Sequence, residues 1–89
     1  MKTAKISLRE MAANTSPEIQ AEIALSMRVS DRLVALMHDK GIGKLELANA
    51  LGKRPNEVTR WLSGQHNFTL RTIAMLSSFF GKPIISINL

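Results

Sequence analysis

"KLELANALGKRPNEVTRWLSG", residues 44–64, carries two short apolar patterns of helical period on either side of a glycine. Leu45, Leu47, Ala48 and Leu51 mark one helix over 44–51. Pro55 suits the first turn of a second, which runs to Ser63 and stops at Gly64. Ala48, Gly52 and Val58 stand at spacings of four and six. A small residue at 48 lets the following helix approach closely, and a glycine at 52 turns the chain through positive φ at little steric cost. Val58, β-branched and apolar, faces back onto the first helix. With Leu47, Leu51 and Trp61 as inward partners, these positions define a helix-turn-helix unit.

Directing Val58, Trp61 and Leu62 inward leaves Asn56, Glu57, Thr59 and Arg60 on the outside, with Arg54 at the helix N-terminus. Arginine can pair bidentately with guanine and asparagine with adenine, while glutamate can accept from cytosine, so this face carries base-reading chemistry. The same residue types also occur on the solvated face of any surface helix, and charge distribution favours base reading over that alternative. Residues 1–40 hold six basic and five acidic side chains, whereas residues 41–89 hold six and two, so +4 of the net +5 lies in the second part. A basic half suggests a polyanionic partner, most simply nucleic acid. On that view Lys44, Lys53, Gln65, His66, Asn67, Thr69 and Arg71 flank the reading helix and contact the phosphate backbone.

The 89 residues suffice for one domain, and 45% of them are hydrophobic, which argues against disorder. Ser7 and Glu10 have capping-box spacing for a short helix over about 8–13. Thr15 and Glu18 repeat that spacing, with Pro17 near the first turn, for a segment from Pro17 to Lys40 that Gly41 ends. It is either one long helix or two, re-capped near Ser30–Asp31. Val29, Leu33, Val34, Leu36 and Met37 form its core stripe, while Ile19, Ile23 and Met27 project beyond the needs of a small bundle and are candidates for a partner surface.

Thr69 caps a last helix that ends at Gly81. Leu70, Ile73, Ala74, Leu76 and Phe80 share one face of it, with Met75 and Phe79 on another, so it is either wholly buried or lies between the core and a second chain. "KPIISINL", residues 82–89, has the pattern of a single strand. A single strand needs a mate, here a second copy or a partner edge engaging Ile85 and Ile87, unless the tail packs as irregular coil.

Other chemistries find little support. The chain has no cysteine, which excludes disulfides and thiolate metal sites and fits a reducing cytosol. His66 has no carboxylate or histidine at helical spacing, so neither a general base nor a metal site is expected, and no cofactor or catalytic residue is assigned. Trp61 is either a core residue or a stacking platform. No long apolar run follows Lys2 and Lys5, so neither signal peptide nor membrane span is expected and the cytoplasm is the expected location.

The stretch "LELANALGKRPNEVTRWLSGQHNFTLRTIAMLSSFFG" (45–81) resembles the lambda-repressor/Cro-like, or XRE, family of helix-turn-helix regulators. The resemblance covers Val29 to Gly81 and rests on Leu47-Ala48, Leu51-Gly52, Val58, Arg60-Trp61, Ser63-Gly64 and Thr69-Leu70 with Ile73. Departures are Gly43 in place of a Thr or Ser cap, Lys53 at a commonly apolar position, and Arg54-Pro55 at the start of the second helix. The resemblance implies an all-α, lambda-repressor-like bundle of about five helices. It also implies DNA binding as a homodimer, with the Pro55–Ser63 helix in the major groove of an operator. The layout is similar to that of HigA-type antitoxins: a helical extension (1–28), a helix-turn-helix domain (29–81) and a C-terminal strand or tail (82–89). That likeness implies a repressor of its own operon that neutralises a RelE-like toxin. A stand-alone or phage-type regulator, and a protein-interaction adaptor without DNA binding, are the alternatives.

Overall fold

The computed structural model describes residues 16–87, so the helix expected over 8–13 lies outside the described residues. Four helices follow one another: α1 (Pro17–Lys40), α2 (Lys44–Leu51), α3 (Pro55–Trp61) and α4 (Leu70–Phe80). The fold is mostly helical, and no strand occurs among the described residues.

α1 is one uninterrupted helix of 24 residues, so the question of a break at Ser30–Asp31 is answered in favour of a single helix. Ser30 does not re-cap the chain because its hydroxyl is engaged by a distant segment. At the N-terminus the cap is Ser16, not Thr15: its side chain accepts from the Ile19 N–H at 3.3 Å. Pro17 occupies the first helical position, so the residue directly before it becomes the cap. Gly41 closes α1 at φ 72°, and its N–H meets the carbonyls of the last turn.

Val29, Leu33, Leu36 and Met37 of α1 form the core with Leu47 and Ala48 of α2, Val58 and Trp61 of α3, Leu76 of α4 and Ile84 of the tail. Val34 is a correction to the expected stripe. It is 50% exposed, because one step past Leu33 turns it off the buried side. α4 requires a larger correction. Its inward face centres on Leu76 and fans out to Ile73, Met75, Phe79 and Phe80, which all pack on the core. Leu70 and Ala74 lie about 120° and 160° around the helix from Leu76; both are exposed, Leu70 by 80%. Met75 and Phe79 are therefore half-buried against their own chain. Phe79 also meets the Phe80 ring edge-on at 5.0 Å and lies 5.3 Å from Lys40 Nζ.

The tail follows the second of its two expected courses. Residues 82–87 run as bends and irregular backbone without strand pairing. The Ile84 N–H donates to Ser77 Oγ at 3.0 Å, and Arg32 Nε donates to the Pro83 carbonyl at 3.2 Å. Side chains of α1 and α4 thus satisfy backbone groups that a sheet would otherwise satisfy. Ile84 is buried, while Ile85 and Ile87 remain exposed.

Candidate nucleic-acid interface

α2 and α3 are the most closely packed pair of helices, joined through the turn at Gly52. Ala48 and Val58 are both fully buried, as a close helix–helix approach requires. Gly52 adopts φ 67°, a left-handed conformation costly for any residue with a Cβ, and the Lys53 N–H reaches back to the Ala48 carbonyl at 2.8 Å. Neither helix has a side-chain cap at its start. A glutamate three residues in takes over part of that role in each: Glu46 Oε1 accepts from the Gly43 N–H and Glu57 Oε1 from the Arg54 N–H, both at 3.3 Å.

α3 ends at Trp61, two residues before the end expected from the sequence. Ser63 is responsible. Its hydroxyl donates to the Arg60 carbonyl at 2.7 Å and accepts from the Gln65 N–H at 3.1 Å, while its own N–H bonds the same Arg60 carbonyl at 3.1 Å. The chain leaves through a tight turn, and Gly64 reverses it at φ 81°.

A cleft of about 250 Å³ opens beside α3, lined by Lys53, Arg54, Asn56, Glu57, Arg60, Trp61, His66 and Thr72. It gathers four of the five proposed base-reading residues with Lys53 and His66 from the proposed backbone set. Three permanent cations face a single carboxylate there, so the cleft favours an anionic occupant. His66 packs edge-on against Phe68 at 4.8 Å, which fixes the imidazole at the cleft wall.

The remaining predicted residues are arranged differently. Thr59 is exposed but outside the cleft, and its hydroxyl donates to the Pro55 carbonyl at 3.1 Å. Lys44, Gln65, Asn67 and Arg71 are exposed and do not line the cleft. Thr69 caps α4: its oxygen accepts from the Thr72 N–H at 3.1 Å and lies 3.0 Å from the Thr72 hydroxyl. Trp61 is buried in the core, which answers the question of its role as a platform. Ile19, Ile23 and Met27 are each about half exposed on α1, and Ile85 and Ile87 on the tail are exposed as well.

The roles of two residues escaped the sequence reading. Thr72 lines the cleft because the Thr69 cap places it three residues into α4; the T-x-x-T spacing was the available signal. Ser30, in the middle of α1, is buried and hydrogen-bonded to the end of α3, and nothing local in the sequence marks it.

No family model matches the chain, and no curated protein or solved structure does either. Among the described residues, no helix is long and apolar enough to cross a membrane.

Proposed function

We propose that this chain is a helix-turn-helix, sequence-specific DNA-binding transcriptional repressor that engages its operator as a homodimer. The observation that carries the reading is the exposed polar side of α3 beside a cleft rich in cations, on a helix whose opposite side is seated by Val58 and Trp61. Asn56 and Arg60 supply donors suited to purine edges, and Lys44, Lys53 and Arg71 supply charge for phosphates. The lambda-repressor-like arrangement belongs to the same proposal.

The test is selection of duplexes from a random double-stranded pool by the full-length protein at physiological salt. Enrichment of one sequence, bound well above a scrambled duplex, is the expected outcome. Equal affinity for both would end the repressor reading and favour a protein-interaction adaptor.

A second macromolecular partner is favoured by one further observation. Ile19, Ile23 and Met27 expose apolar surface on the N-terminal half of α1. This accords with an antitoxin that docks a RelE-like toxin on its helical extension and represses its own operon. Expression of the adjacent reading frame decides the point. A product that arrests growth alone, and is rescued by co-expression of this chain, is expected; a harmless neighbour leaves the stand-alone regulator.

A further inference from the structure

α3 has seven residues, fewer than the roughly 12–15 at which an isolated helix begins to hold in water. Its direction therefore depends on what grips its ends. The N-terminal end is gripped locally, by the Glu57 carboxylate on the Arg54 N–H. The C-terminal end is closed locally by Ser63 on the Arg60 carbonyl and is tied to the rest of the fold by one side chain of α1.

That side chain is Ser30, 3% exposed. Its hydroxyl donates to the Trp61 carbonyl at 2.5 Å and accepts from the Gly64 N–H at 3.1 Å. The Trp61 carbonyl belongs to the last turn, where a helix offers its carbonyls no N–H donor of its own, and Gly64 lies just beyond that turn. A single hydroxyl thus closes both sides of the turn onto a helix 31 and 34 residues earlier in the chain. It is also placed where it cannot be exchanged for water, because the neighbouring Val29, Leu33 and Trp61 are buried.

We propose that Ser30 is a positioning residue for base recognition: by holding the Trp61 carbonyl and the Gly64 amide, it sets the angle at which α3 presents Asn56 and Arg60. The role rests on the DNA-binding function proposed above. Without the hydroxyl, α3 pivots about its Trp61 end to recover partners for the two freed groups. Asn56 is five residues, about 7.5 Å along the axis, from that end, so it is displaced further than Arg60. Lys44 and Arg71 lie on α2 and α4 and keep their places. Sequence discrimination is lost while charge-driven affinity is retained.

The experiment compares full-length wild type with Ser30→Ala, Ser30→Thr and Ser30→Val. Thr and Val differ at this site by a hydroxyl against a methyl. Affinity is measured for a duplex enriched by the wild type from a random pool and for its scrambled counterpart, over a range of salt, beside thermal melting. Ser30→Ala and Ser30→Val are expected to lower the selected-to-scrambled ratio by about tenfold, with scrambled affinity and salt slope unchanged. Ser30→Thr is expected to retain the ratio, and the loss in Ser30→Val is expected to be greatest at the base pair Asn56 reads. Ile84→Val serves as a control that loosens a buried core residue on another element.

Equal ratios for Ser30→Thr and Ser30→Val overturn the proposal, as does an equal loss in the Ile84→Val control at matched melting temperature. If the wild type itself enriches no sequence, the DNA-binding function fails and the positioning role fails with it. That result is distinct from a wild type that discriminates and variants that do so equally well.

Discussion

Asn56 and Arg60 differ from Glu57 and Thr59 in what their polar atoms already do. Glu57 caps its own helix and Thr59 bonds back to Pro55, whereas the side chains of Asn56 and Arg60 make no hydrogen bond within the described chain. Free donors can turn to a base edge without first breaking an internal bond. Arg60→Ala and Asn56→Ala should each weaken binding to a selected duplex by about 1–3 kcal/mol and relax preference at one base pair. Glu57→Ala should instead act mainly on the fold, lowering stability by ~0.5–1 kcal/mol through loss of a charged cap. Chemical denaturation beside a repeat selection would separate the two effects; an altered base preference at undiminished stability would restore Glu57 to the reading set. Lys44→Ala should weaken all duplexes alike and reduce the slope of log affinity against log salt by about one. All four side chains stood out in the sequence as exposed and polar. Their division into capping and free groups did not, since it depends on which acceptor or donor each one meets.

Between α2 and α3 the decisive element is the turn. Gly52 at φ 67° has open space where a Cβ would sit, so a substitution there meets no neighbour and its cost is conformational alone. Gly52→Ala should lower stability by about 1–2 kcal/mol, read by denaturant unfolding, and its effect on selected DNA should exceed that on scrambled DNA. Leu47→Ala removes a side chain with no exposure at the centre of the same unit, and should cost about 2–5 kcal/mol. The start and end of α2, the Thr69 cap and the Gly81 end of α4 are all legible from local chemistry, because each rests on hydrogen bonds within a few residues. The end of α3 is not. Ser63 competes for the Arg60 carbonyl and shortens a helix that sequence pattern would extend to Gly64. The orientation of α4 is equally hidden: its two apolar faces are similar on the wheel, and packing around Leu76 chooses between them.

The described chain measures 52 × 34 × 21 Å, with a radius of gyration of 15.5 Å, against about 11 Å expected for a compact domain of that length. Elongation follows from α1, about 36 Å long, whose first turns carry exposed Ile19 and Ile23 while its second half is built into the core. Apolar surface on an overhang is suited to association, and a homodimer predicts a sedimentation profile that Ile19→Ser with Ile23→Ser shifts to monomer without a comparable fall in melting temperature. An unchanged profile would remove this face from the dimer. The tail is a less clean site for the same test, because truncation at residue 83 also removes the buried Ile84; Ile85→Ser with Ile87→Ser leaves that anchor in place.

Helical content, the α2–Gly52–α3 turn and the polar exterior of α3 are all written in the local sequence. They rest on apolar period, on capping groups a few residues apart and on a glycine able to take positive φ, none of which needs a distant partner. The tertiary structure alone decided that α1 is unbroken, that Met75 and Phe79 pack on their own chain, and that the tail docks through Ile84. It alone joined Ser30 to Trp61 and Gly64, and Arg32 to Pro83, across separations of 31, 34 and 51 residues. The physical reason is common to all of these. A hydroxyl, a guanidinium or one of two similar apolar faces acquires its role only from the group brought against it, and that group is chosen by the packing of the whole chain.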